Sequence, residues 1–274
     1  MKLATIRDAG GTRAVRIDGD EAVELDAADV GEVLRRDDWR AWASAQSAGA
    51  RPANDLDFAP LIPAPEKIFC VGLNYRAHIL EGGREEPKFP TLFAKFARCL
   101  VGARDDVELA PSPAQVDWEA ELAVIIGKPA RRVSAEAAPE YIGGYAILND
   151  VSVRDWQNRT LQWLQGKTWE RSTPLGPYLV TPDEAGDPAW PISCEIDGEI
   201  MQDSNTGDFV FGPHELVSYI STIITLAPGD VIATGTPGGV GFARTPPRFL
   251  TDGTVMVTRI GPLGECRNVC RRES

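Results

Sequence analysis

Asp117-Trp118-Glu119-Ala120-Glu121-Leu122-Ala123-Val124-Ile125-Ile126-Gly127 is the stretch on which the reading of the fold turns. Its apolar, β-branched second half ends at a glycine, the pattern of a buried strand. Residues i and i+2 of a strand share a face, so Glu119 and Glu121 point the same way into a largely apolar element. Two unpaired anions there cost several kcal/mol, or one of them must hold a proton. A divalent cation removes that cost. A second apolar run, Gly144-Tyr145-Ala146-Ile147-Leu148-Asn149-Asp150, ends in a third acid that can complete an oxygen-rich set. Three carboxylates suit Mg²⁺, Mn²⁺ or Ca²⁺ better than Zn²⁺, which favours His and Cys. Taken alone, the pair also fits a solvent-facing edge strand with two surface acids. Its surroundings decide.

The chain has 274 residues, room for one large β-rich domain or for a small domain plus a larger one. The 26 Gly and 21 Pro favour many turns and short strands over long helices. A formal net charge of −12 repels nucleic acid and anionic membranes, so neither is expected as a partner. An anionic substrate therefore needs a local basic pocket. Five cysteines without a Cys-x-x-Cys pair suit no complete disulfide framework, and Cys266 and Cys270 read as solvent-side thiols. The opening Met1-Lys2-Leu3-Ala4-Thr5-Ile6-Arg7-Asp8 has no uninterrupted apolar core of a signal peptide, and no apolar run is long enough to span a membrane. The expected compartment is the reducing cytoplasm.

Residues 1–60 read as a small N-terminal domain, with hairpin strands over 2–6 and 14–17 and one or two helices within 29–50. Phe58-Ala59-Pro60-Leu61-Ile62-Pro63-Ala64-Pro65 reads as a linker. Residues 66–270 form the larger domain, in which strands dominate: 68–71, 121–126, 145–148, 192–196, 231–234 and 254–260. A helix over 215–224 can start at Pro213.

Asn74-Tyr75-Arg76-Ala77-His78-Ile79-Leu80-Glu81-Gly82-Gly83 follows a strand, with Asn74 as expected N-cap and Gly82 at the left-handed position after the helix. His78 and Glu81, three apart, share a helix face, and a carboxylate beside an imidazole is the arrangement of a general base. Gly82-Gly83-Arg84-Glu85-Glu86 has the composition of a lid. Arg154 and Gln157 fall three apart on a helical turn, and Lys167 follows Gly166. A Lys and an Arg beside three carboxylates and a dication make a roughly neutral cluster able to hold an anionic acid. Thr234-Gly235-Thr236-Pro237-Gly238-Gly239 fits neither the phosphate-loop nor the dinucleotide pattern, but its amides and the Thr236 hydroxyl can bind a carboxylate.

Together these segments resemble the fumarylacetoacetate hydrolase family from about Pro65 to Val269. The motifs occur in family order: Val71-Gly72-Leu73-Asn74-Tyr75 with His78, the Asp117–Gly127 stretch, Asn149-Asp150-Val151-Ser152-Val153-Arg154-Asp155, Gly166-Lys167, Pro174-Leu175-Gly176-Pro177, and Pro228 through Pro237. The resemblance implies a mixed α/β, mostly β fold, a rolled β-sandwich carrying a small N-terminal domain, commonly as a homodimer. It implies Mg²⁺ or Mn²⁺ on Glu119, Glu121 and Asp150, and His78 with Glu81 as catalytic dyad. Arg154, Gln157, Lys167 and Thr236 line the substrate pocket by the same resemblance. Lys95-Phe96-Ala97-Arg98 and Thr168-Trp169-Glu170 depart from the family's Lys-Pro-Pro-Ser and Ser-Phe-Asp, so one member's substrate does not transfer.

The leading expectation is a metal-dependent hydrolase cleaving a C–C bond in a small β-diketo or acylpyruvate acid, of the kind met in aromatic catabolism. His78, supported by Glu81, activates the attacking water, while Lys167 and Arg154 hold the carboxylate. The first alternative keeps the site and changes the reaction, to decarboxylation or tautomerisation of oxaloacetate or hydration of a 2-oxo-enoate. The second is a non-catalytic binding protein on this fold.

Overall fold

The computed structural model describes residues 1–47, 49–81 and 85–272, with the side chains of His78, Leu80 and Glu81 outside that description. Among the described residues the chain is mostly β with short helices, built around one 11-stranded mixed sheet and a 5-stranded sheet. The Ala120–Ile126 strand lies deep in the large sheet, antiparallel to Ile142–Asn149 on one side and to Val231–Ala233 on the other. All seven of its residues are buried. Leu122, Val124 and Ile126 pack in the core shared with the second sheet, among Ile192, Cys194, Met256 and Cys270. Each such apolar side chain removed from water contributes about 1.5–3 kcal/mol. Ala123 and Ile125, on the opposite face, join a separate core. The strand is thus sandwiched between two cores, and this is why it reads as continuously apolar.

The second core is closed by the N-terminal residues. Leu3, Leu25, Val30, Leu34 and Trp39 pack there with Ala123, Ile125, Ala146 and Leu148. The Lys2–Asp8 strand is hydrogen-bonded into the large sheet, with Lys2 opposite Val180 and Leu3 opposite Leu179. Two helices follow, Val30–Leu34 and Trp39–Ala45. The first is capped by Asp29, which accepts from the Glu32 amide at 2.9 Å.

Two expectations are corrected. Phe58–Pro65 is no free linker: Phe58, Leu61 and Ile62 are buried, Phe58 bridges Ile6, and the Leu61 amide donates to Leu175 O at 3.1 Å. Its prolines keep it out of helix and sheet beyond Phe58, but its apolar residues find cores to fill. Cys266 and Cys270 are not solvent-side thiols either. They alternate inward on the Gly264–Arg272 strand, and all five cysteines are free and buried.

The remaining strands expected in the larger domain appear, and the helix Pro213–Ile223 starts at Pro213, its Glu215 carboxylate accepting from the Gly212 amide at 2.8 Å. Among the described residues no helix is long and apolar enough to cross a membrane.

Candidate active site and metal centre

The three acids meet. Glu119 precedes the Ala120–Ile126 strand, Glu121 is its second residue, and Asp150 directly follows the neighbouring Ile142–Asn149 strand. The two strand ends stay tied beyond the regular ladder: the Asp150 amide donates to Glu119 O at 2.8 Å, and the Glu119 amide to Asn149 Oδ1 at 2.9 Å. One carboxylate oxygen from each of Glu119, Glu121 and Asp150 lies within 4.8 Å of the others, and all three residues are buried.

Cations surround two of the three. Lys167 Nζ donates to Glu119 Oε2 and to Asp150 Oδ2, both at 2.7 Å. Lys95 Nζ, also buried, donates to Asp150 Oδ1 at 2.6 Å and to Val151 O at 3.2 Å. Arg154 reaches Glu119 Oε1 at 2.6 Å and Asp117 Oδ2 at 2.8 Å, and donates to Gln157 Oε1 at 2.9 Å. Burial alone disfavours the Lys167 ammonium, but Asp150 and Glu119 outweigh it, so its pKa is raised and it stays charged. Burial likewise favours a proton on Asp150, yet Lys167 and Lys95 hold its carboxyl below the ordinary range.

Glu121 differs. Its Oε2 accepts from the Gly235 amide at 2.8 Å, and among the described residues no cationic side chain pairs with it. Burial, then the charges of Asp150 and Glu119, push its carboxyl well above the ordinary range. Among the described residues, Asp117, Glu119, Glu121 and Asp150 thus face Lys95, Arg154 and Lys167, and this cluster is one positive charge short. An all-oxygen triad with one uncompensated acid fits a hard dication, and such an ion reverses the local deficit to a positive excess.

A cavity of about 200 Å³ opens beside Glu119 and Glu121. Arg154, Gln157, Lys167 and Thr236 give it polar walls, and Val71, Phe93, Trp163 and Phe242 apolar ones. Arg154 and Gln157 sit on one short helix and Lys167 on the next, Leu164–Lys167. A Cβ at Gly166 would lie 2.4 Å from Gln157 Cβ and 2.6 Å from its Cα, so only glycine lets the two helices approach this closely. Gly235, at φ +97°, turns the chain so that its amide meets Glu121.

Sequence reasoning missed Lys95 and Asp117. Asp117 is fully buried and accepts from the Gly241 amide at 2.7 Å and the Phe242 amide at 3.0 Å as well as from Arg154. It fixes a wall of the cavity and the orientation of Arg154 together. Most of Arg154's donors are spent on Asp117, Glu119 and Gln157, so the expected grip on a substrate carboxylate is secondary to holding Glu119.

His78 and Glu81 lie on the helix Arg76–Glu81, which follows the cavity-lining Val71, Gly72 and Leu73. The expected contact between their side chains, and the Gly82-Gly83-Arg84 part of the expected lid, fall outside the described residues. Asn74 does not cap this helix. Its Nδ2 donates to Thr234 O at 2.7 Å and Phe211 O at 3.0 Å, and its Oδ1 accepts from the Phe211 amide at 2.8 Å. The first turn is instead served by Asp208, which accepts from the Ala77 amide at 3.0 Å. Asn74 is drawn away because buried carbonyls beside it need a donor.

The model of the fumarylacetoacetate hydrolase C-terminal family matches residues 67–271. The chain belongs to the fumarylacetoacetate hydrolase family. This family member is similar to the mitochondrial oxaloacetate tautomerase of Rattus norvegicus, 44% identical over 215 residues that cover 78% of this chain and 69% of the rat protein. It superposes on the fumarylacetoacetate hydrolase of Exiguobacterium antarcticum with a TM-score of 0.89 at 31% identity, over 100% of both chains. A 5-carboxymethyl-2-hydroxymuconate delta-isomerase from Mycobacterium smegmatis gives 0.83 at 32% identity, again over 100% of both chains. Relatives of this family member thus bear the names of tautomerases, isomerases and hydrolases, and the buried acidic triad is present in a fold they share.

Proposed function

We propose that this chain interconverts the keto and enol forms of oxaloacetate at a divalent cation, Mg²⁺ or Mn²⁺, held by Glu119, Glu121 and Asp150. The observation that carries the reading is Glu121, an acid without a cationic partner among the described residues, beside a small cavity whose other polar groups are mainly donors. The name of the rat relative supports the choice of reaction over the C–C hydrolysis first expected. A dication there supplies Lewis acidity toward the oxygens of a 2-oxo acid.

The protein groups divide the remaining work. Lys167 stays protonated, so it neutralises and orients an anionic oxygen and is not the base. Thr236 and Gln157 offer hydrogen bonds from the cavity wall. Tautomerisation takes a proton from C3 and places one on the C2 oxygen, and we assign that transfer to His78 with Glu81 behind it. Unlike hydrolysis, this transfer consumes no water.

Hydrolysis of an acylpyruvate is the second reading, favoured by the likeness to the Exiguobacterium hydrolase. NMR on the Mg²⁺- or Mn²⁺-supplied protein separates the two. Faster approach of oxaloacetate to its keto–enol equilibrium, abolished by chelator, supports the tautomerase. Acylpyruvate cleavage without any effect on oxaloacetate sinks it in favour of the hydrolase.

The division into residues 1–60 and 66–270 is part of the proposal, since every assigned site residue lies beyond Pro65. We further propose a homodimer and a reducing compartment, the latter because all five cysteines are free. The mitochondrial name of the rat relative makes the organelle as good a candidate as the cytoplasm.

A further inference from the structure

The Val231–Ala233 strand stops pairing before its neighbour does. Ala123, Val124 and Ile125 are matched by Ala233, Ile232 and Val231, and Thr234 extends the ladder by donating its amide and Oγ1 to Leu122 O at 3.0 and 2.9 Å. The chain then turns away at Gly235, and the buried Ala120 amide is left without a strand partner. A side chain from the other sheet takes its place: Gln202 Oε1, on the Glu199–Asn205 strand, accepts from Ala120 N at 2.9 Å.

That bond settles which way the amide faces. With Oε1 on a backbone donor, Nε2 must face the other side, where it donates to Thr236 Oγ1 at 2.8 Å and Pro237 O at 2.9 Å. The Pro237 carbonyl can only accept, so Ala120 and Pro237 independently demand the same orientation. A hydroxyl has one hydrogen to give. Since Thr236 Oγ1 accepts from Gln202, that hydrogen is free, and among the described residues it has no acceptor. Thr236 lines the cavity, whereas Gln202 is fully buried and does not.

We infer that Gln202 is a positioning residue that commits the Thr236 hydroxyl to donate into the cavity, toward an anionic oxygen of the bound acid. The inference rests on the reading of the cavity as a 2-oxo acid site. In Gln202→Glu, titrated at a pH high enough to ionise this buried acid, the carboxylate keeps the bond to Ala120 but accepts from Thr236, and the hydroxyl hydrogen is lost to the substrate. Thr236→Val removes it directly, and Thr236→Ser keeps it.

Oxalate, a planar dianion, is the probe, titrated calorimetrically into the Mn²⁺-supplied protein. Gln202→Glu and Thr236→Val should each weaken oxalate binding about 10- to 100-fold, the worth of one hydrogen bond to a charged group. Thr236→Ser should bind within a few-fold of the parent, and Mn²⁺ affinity should hold in all variants. The double variant Gln202→Glu/Thr236→Val should lose no more than the weaker single variant, because both changes remove the same hydrogen bond. Losses that add would show that Gln202 acts through the general structure and overturn the inference. Should Gln202→Glu not fold, Thr236→Val alone decides: parent-like oxalate binding overturns it. A parent protein that binds oxalate in this graded way but leaves oxaloacetate untouched refutes the tautomerase reading and not this one.

Discussion

Lys95 and Lys167 grip one carboxylate between them: Lys95 Nζ sits 2.6 Å from Asp150 Oδ1, and Lys167 Nζ 2.7 Å from Asp150 Oδ2. All three side chains are almost wholly buried. The lysines are not equivalent, because Lys167 also holds Glu119 and Lys95 holds no second acid. Lys95→Met leaves Asp150 one cation, so its cost should fall at or below the low end of the range of about 3–5 kcal/mol for breaking a buried pair. Lys167→Met takes a cation from two acids at once, leaving Asp150 to Lys95 and Glu119 to Arg154, and should cost more. Urea denaturation of the two variants measures the difference, and an equal or reversed order contradicts the assignment.

Cation binding should be steeply pH-dependent. Burial and the charges of Asp150 and Glu119 hold the Glu121 carboxyl well above its ordinary range. A cation needs the carboxylate, so an entering ion expels the proton. Affinity for Mn²⁺ should therefore fall as pH drops through the raised Glu121 pKa and level off above it. Calorimetry in buffers of different ionisation enthalpy should show proton release, and Glu121→Gln, which keeps an acceptor for the Gly235 amide, should bind Mn²⁺ weakly without unfolding.

His78→Ala should lower kcat by about 10²–10⁴, the usual worth of a positioned base, while Mn²⁺ affinity stays near that of the parent. Glu81→Gln should cost less, because the imidazole remains but is less well oriented. Undiminished tautomerisation by His78→Ala would remove His78 from the mechanism.

The cysteines should be inert until the chain unfolds. Burial pushes the thiols of Cys194 and Cys270 up to about 12, and both are closed from solvent. Iodoacetamide at about pH 8 should label none of the five in the native protein and all five in guanidinium, as read by mass spectrometry. Rapid native labelling would contradict the packing of the Gly264–Arg272 strand.

The acidic triad was legible because its signal is local: two acids at i, i+2 in an otherwise apolar strand, and a third at the end of another. Arg154 and Gln157 were legible from a three-residue spacing that a single helical turn realises. Lys95 was not, because a lone lysine in Thr91-Leu92-Phe93-Ala94-Lys95 reads equally as an edge strand's charged, solvent-facing residue. Its partner lies 55 residues away. Gln202 and Asp208 escaped for the same reason: each serves a backbone amide far along the chain, and no local pattern announces such a bond. Composition misled at Phe58–Pro65, where three prolines suggested a tether and the buried Phe58, Leu61 and Ile62 outweighed them.

Glu121 shares its face of the strand with Ala123 and Ile125, and those two lie in the core that Leu25, Val30 and Leu34 close. One end of a single row of side chains therefore belongs to the acidic triad that could hold a cation, and the other end is the seam with the first residues of the chain. Local opening of that seam must loosen the row as a whole. An ion bound at Glu121 should slow amide hydrogen exchange in the Val30–Leu34 helix, which touches no part of the site, and the N-terminal residues thereby act as the keel that keeps the carboxylates in register.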